Sequence, residues 1–94
     1  MIVWTEQAFT QLNQVSDYIS FSGSEDAAER VVSRILSSVQ QLAKFPLSGR
    51  SGRVPATREL VIANTPFIVA YTQHENRIVV LAIYHGAQRW PEAF

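Results

Sequence analysis

The sequence predicts an α+β domain of order β-α-α-β-β-β, with a helical hairpin packed on one face of a twisted antiparallel sheet. Three observations predict it. Two early stretches repeat apolar residues at helical spacing. Three late stretches are short apolar runs separated by turn residues. A loop rich in glycine and proline divides the two halves.

Ile2-Val3-Trp4 is a short β-type run. Thr5 can cap the next segment, with Glu6 in the first turn where its charge favours the helix dipole. Ala8, Leu12, Val15 and Ile19 then recur at three- and four-residue spacing, which predicts a helix over about 6 to 20. Ser22-Gly23-Ser24 breaks it. Ser24 followed by Glu25 and Asp26 starts a second helix, and Ser22 with Glu25 offers an alternative capping box. Its stripe is Ala28, Val31, Val32, Ile35, Val39 and Leu42. It should end near Phe45, because a proline at 46 disfavours helical geometry in the residue before it. So short a link between the helices predicts an antiparallel hairpin. Residues 46–57 carry two glycines and two prolines and read as a loop. Strands are expected at about 58–63, 67–73 and 77–85, joined by turns at Asn64-Thr65-Pro66 and His74-Glu75-Asn76. Links this short favour antiparallel neighbours.

Ninety-four residues make one domain, expected to span 1–94. A chain of this size buries roughly 60–65% of its unfolded surface, so its margin of stability is thin. With no cysteine it has no disulfide or thiolate metal site, and no metal or cofactor is expected. There is no signal-like leader and no apolar run long enough to span a bilayer, so the expectation is a soluble cytoplasmic protein with no membrane partner. The hydrophobic fraction is 47% and the charged fraction 17%, which points to a surface covered either by a partner or by a second copy. A formal net charge of zero argues against general binding to phosphate backbones. The charge is uneven, however. Residues 1–43 hold two arginines against five acids, whereas Lys44, Arg50, Arg53 and Arg58 stand in residues 44–58 with no acid among them.

Four features, taken in order, carry a family resemblance. They are the element order, the segment Pro46-Leu47-Ser48-Gly49-Arg50, the run from Thr57-Arg58-Glu59-Leu60 to Pro66-Phe67-Ile68-Val69-Ala70-Tyr71, and the terminal His85-Gly86-Ala87-Gln88-Arg89-Trp90-Pro91. Together they resemble the RelE/ParE superfamily, the toxins of type II toxin–antitoxin pairs of the plasmid-stabilisation type, over essentially the whole chain. The resemblance implies neutralisation by a cognate protein antitoxin. It also implies one of two targets: DNA gyrase for ParE-like members, or ribosome-associated messenger RNA for RelE-like ones. Fold alone does not choose between them.

A metal-free ribonuclease needs a base, an acid and cations converging on one cleft. His85 is the candidate acid or base, since imidazole titrates near neutrality. Glu59 is a candidate second acid–base group, and Arg58 completes the candidate catalytic set. Arg50, Arg53, Arg58 and Arg89 are the candidate phosphate- or target-binding cations. Each has a plainer structural reading. His85 shares strand parity with Val79, Leu81 and Ile83 and could cap that face. Arg58 and Glu59 could pair with neighbouring strands, Arg50 and Arg53 could be solvated loop residues, and Trp90 could be a packing plug. Two departures weigh against the nuclease. The stretch Phe67-Ile68-Val69-Ala70-Tyr71 holds no cation, whereas many nuclease members of the family it resembles carry an arginine near the position of Phe67 or Ile68, and the chain is neutral where most ribosome-dependent members are strongly basic. The preferred reading is therefore a ParE-like gyrase inhibitor that needs no catalytic residue. Messenger-RNA cleavage is the alternative, and an inactive antitoxin-binding module is the third. The loop 46–57 and the tail 86–94 are the first places to seek a target surface.

Overall fold

Thr5 opens the first helix, α1 (Glu6–Ser22), by accepting the Ala8 N–H on its Oγ1 at 3.1 Å. Ser24 opens the second, α2 (Glu25–Gln40), by accepting the Ala27 N–H at 3.0 Å. The computed structural model describes residues 1–87 and 89–94, so Gln88 of the terminal motif lies outside the described residues. Helix α2 tightens into a 3₁₀ turn at Gln41–Ala43, a few residues ahead of Pro46. The strands are β1 (Ile2–Trp4), β2 (Arg50–Ser51), β3 (Arg58–Val61), β4 (Phe67–His74) and β5 (Arg77–His85).

The strands form one sheet in the order β1-β5-β4-β3-β2. The α+β architecture is the expected one, with two refinements. First, β1 runs parallel to β5, so the sheet is mixed rather than wholly antiparallel. This is possible because β1 and β5 are joined through the helical hairpin and then β2, β3 and β4, a connection far longer than a parallel pair requires. Second, the loop 46–57 contains the two-residue strand β2, which pairs Arg50 with Glu59 and Ser51 with Arg58. Two residues are too few to leave a periodic signal in sequence.

Strand β5 carries an extra residue. Ala70 pairs with Ala82 but Tyr71 pairs with Val80, which leaves Leu81 as a bulge. Thr5 secures the bulge: its N–H donates to the Val80 carbonyl at 3.0 Å and its hydroxyl to the Leu81 carbonyl at 3.1 Å. The parity of β5 changes there. Ile78 and Val80 face the helices, and after the bulge so do Ile83 and His85. His85 therefore shares a face with Ile83 but not with Val79, contrary to the unbroken alternation read from sequence.

The two faces have different covers. On one, Ala8 and Leu12 of α1, Ile35 and Val39 of α2, and Leu42 pack against Val69, Tyr71, Ile78, Val80 and Ile83. On the other, Ala70, Ala82 and Tyr84 form a smaller cluster closed by Trp90 from the C-terminal tail. Past the end of β1, the exposed edge of β5 is closed by Gln11, whose Oε1 accepts the Ile83 N–H at 2.8 Å.

Candidate functional site

Glu59 lies within β3, directly across from Arg50 on one side and Ala70 on the other, so it points to the tail-covered face. It is 3% exposed and is the buried charged residue of the described chain. Both its oxygens are occupied. Oε1 accepts from Arg50 Nε at 3.1 Å and Nη2 at 2.9 Å. Oε2 accepts from the Arg53 backbone N–H at 2.7 Å and from Arg53 Nε at 3.2 Å. Burial pushes the carboxyl pKa up, but the hydrogen bonds from the Arg53 backbone, Arg50 and the Arg53 side chain outweigh it and hold the group below its usual value. Glu59 stays ionised and ties the loop to the sheet.

Arg53 also lies over the Trp90 ring, with its guanidinium carbon 4.0 Å from the ring centroid. Trp90 in turn packs on Tyr84 at 4.5 Å between centroids. The loop and the tail, separate in sequence, thus share one face of the molecule. Arg58 faces the other way, with Tyr71 as its register partner. Its Nη1 donates to the carbonyls of Gly49 at 2.8 Å and Leu47 at 3.3 Å. Tyr71 reinforces the same loop: its hydroxyl donates to Pro46 O and accepts from the Gly49 N–H, both at 2.9 Å. Arg89 is exposed.

His85 stands elsewhere. It is exposed, accepts the Ala87 N–H on Nδ1 at 3.1 Å, and meets Phe67 edge-on at 6.0 Å between centroids. It borders a cleft of about 700 Å³ between α1 and the β3–β4 turn, shared with Gln11, Tyr18, Ile19 and Pro66. Arg58 lines a different recess of about 400 Å³. Between the β4 partners of these two residues, Phe67 and Tyr71, the strand advances about 13 Å, and β5 and β3 lie about 10 Å apart across it. The structure therefore unites Arg50, Arg53 and Glu59, adds Trp90, and leaves His85 and Arg58 in separate clefts. Among the described residues, no three His, Cys, Asp or Glu side chains are grouped to hold a metal ion. No helix among them is long and apolar enough to cross a membrane.

Sequence reasoning missed the pairing of Arg53 with Trp90 and the roles of Tyr71 and Gln11. One signal was present: Ala70 and Ala82, small residues in two apolar strands, leave room beside Tyr84 for a large ring.

The same fold occurs in a solved structure titled "Chromosomal ParDE TA system from P. aeruginosa", with a TM-score of 0.82 at 24% identity, covering 89% of this chain and 92% of that one. "Putative toxin Y4kP" of Sinorhizobium fredii is 42% identical over 91 residues, covering 97% of this chain and 93% of the relative. "Toxin RelE2" of Caulobacter vibrioides is 31% identical over 87 residues, covering 93% and 96%. Residues 2–90 match the family described as the ParE toxin of the type II toxin–antitoxin system parDE. The chain belongs to that family of toxins.

Proposed function

We propose that this toxin acts by binding DNA gyrase and that a protein antitoxin neutralises it. One observation supports the gyrase reading over RNA cleavage: the groups that a metal-free ribonuclease must converge stand apart. His85 borders one cleft, Arg58 is engaged with loop carbonyls in another, and Arg50 and Arg53 are bound to Glu59 on the opposite face. An acid–base pair and its phosphate clamp act only when they reach one reacting centre. A binding inhibitor needs no such convergence. The loop 46–57 and the tail, joined through Arg53 and Trp90, offer it a continuous surface.

The antitoxin reading draws on the family and on exposed apolar side chains. Tyr18 is 71% exposed and Phe21 95% exposed on α1, with the cleft of about 700 Å³ alongside Tyr18. A segment that folds on binding covers this kind of surface. The second reading, messenger-RNA cleavage, is favoured by the relative named Toxin RelE2 and by the position of His85 at a cleft.

A short expression pulse in bacteria, with DNA breaks and transcript ends mapped from one culture, tests the choice. Gyrase-linked breaks with intact transcripts are expected, and His85→Ala should arrest growth as wild type does. Codon-phased transcript cleavage that disappears in a folded His85→Ala variant would overturn the gyrase reading.

A further inference from the structure

We infer that Arg53 is the positioning residue of the C-terminal tail, holding residues 89–94 on the sheet by bridging the buried Glu59 carboxylate and the Trp90 indole. As a statement about tail placement the inference stands alone. As a statement about toxicity it rests on the proposed target surface.

The tail needs such a device. Among the described residues, no backbone hydrogen bond ties residues 89–94 to the sheet. Side chains hold it instead. Trp90 sits on Tyr84, Ala70 and Ala82, and Phe94 reaches Tyr84 at 6.2 Å between centroids. Tyr84 and the two alanines belong to rigid strands and fix one side of the indole. Arg53 comes to the ring from the loop, at 4.0 Å.

The guanidinium is suited to this because its charge lies in a plane. Its edge donates Nε to Glu59 Oε2 at 3.2 Å while its carbon lies over the indole. Glu59 fixes where that plane sits, and its own position is fixed independently by Arg50 and by the Arg53 backbone N–H. The backbone bond survives any substitution at 53 except proline. Arg53→Ala should therefore loosen the tail while leaving the loop anchored. Arg53→Lys keeps the charge beside Glu59 but lacks the planar group, so it should restore the tail only in part.

Trypsin reads the tail, because it must bind the chain on both sides of the bond after Arg89 in extended form, and a seated Trp90 opposes this and slows the cut. The rate of loss of residues 90–94 is followed by mass spectrometry on the full chain. Acrylamide quenching of Trp90 in a Trp4→Phe background gives a second reading. Arg53→Ala should be cut about three- to tenfold faster than wild type, the change expected from losing one cation–π contact, with Arg53→Lys between them. Growth arrest should weaken in the same order. Unchanged cleavage and quenching in a folded Arg53→Ala variant would overturn the inference. A freed tail with undiminished growth arrest would overturn the role of Arg53 in toxicity. A wild-type toxin that leaves gyrase supercoiling untouched would sink the gyrase reading alone, since tail release is still read at Arg89. Should Arg53→Ala fail to fold, Arg53→Lys and Trp90→Ala with their double variant complete a thermal-stability cycle. Non-additive losses support the contact, and additive ones overturn it.

Discussion

Replacing Glu59 by glutamine tests the central ion-paired carboxylate while preserving its shape. The wild-type side chain is 2% exposed and accepts from two guanidinium groups and one backbone N–H. Arg50 and Arg53 are 55% and 45% exposed at their side chains, so each ion pair is screened by water and contributes only about 0–1 kcal/mol. The larger loss comes from crowding. A carboxylate offers two accepting oxygens, whereas the amide offers one and turns an NH₂ toward groups that only donate. One partner set is left without an acceptor, at about 1–3 kcal/mol. The expected total is about 2–3 kcal/mol, or about 8–24 °C in Tm for a domain of this size. Thermal and urea unfolding at neutral pH measure it. A fall below about 2 °C, as for an ordinary surface carboxylate, would refute the reasoning. The pH dependence gives a second check. Because the folded pKa of Glu59 is depressed, its stabilisation is complete above the unfolded value and is lost as pH falls through the folded one. The gap between wild type and Glu59→Gln should therefore narrow on acidification. A gap that stays constant into the acid range would also count against the account.

Three further predictions concern the scaffold. Tyr71→Phe should cost about 2–3 kcal/mol by urea unfolding, because the lost hydroxyl leaves both Pro46 O and Gly49 N–H unpaired in a buried place. Gly49→Ala should destabilise by about 1–3 kcal/mol in the same assay, since its Cβ would stand 2.6 Å from the Tyr71 ring and hydroxyl and 3.0 Å from the Glu59 carbonyl. Gln11→Leu removes the acceptor of the Ile83 N–H, so hydrogen exchange at the Ile83 amide should accelerate and stability should fall by about 1–3 kcal/mol.

The helices, the long strands and their order were legible in sequence because each is a local pattern. Thr5 and Ser24 cap the helices that were read from them, and the apolar runs at 67–73 and 77–85 became β4 and β5 with ends shifted by at most one residue. The stripes on the two helices became the core. The sequence also located the arginine-rich loop and the terminal motif, and the family that both resemble.

What the residues do to one another was decided only in three dimensions. One inserted residue, Leu81, reversed the parity of β5 and set His85 on the helix side. The two-residue strand β2 brought Arg50 opposite Glu59, and the turn beyond it carried Arg53 to both Glu59 and Trp90. Sequence determined which segments are helix or strand, because periodicity is written over neighbouring residues. Which charges meet depends on strand register and sheet face, and a shift of one residue exchanges the two faces. Arginines that read as free cations in a glycine-rich loop are in fact partners of a buried carboxylate.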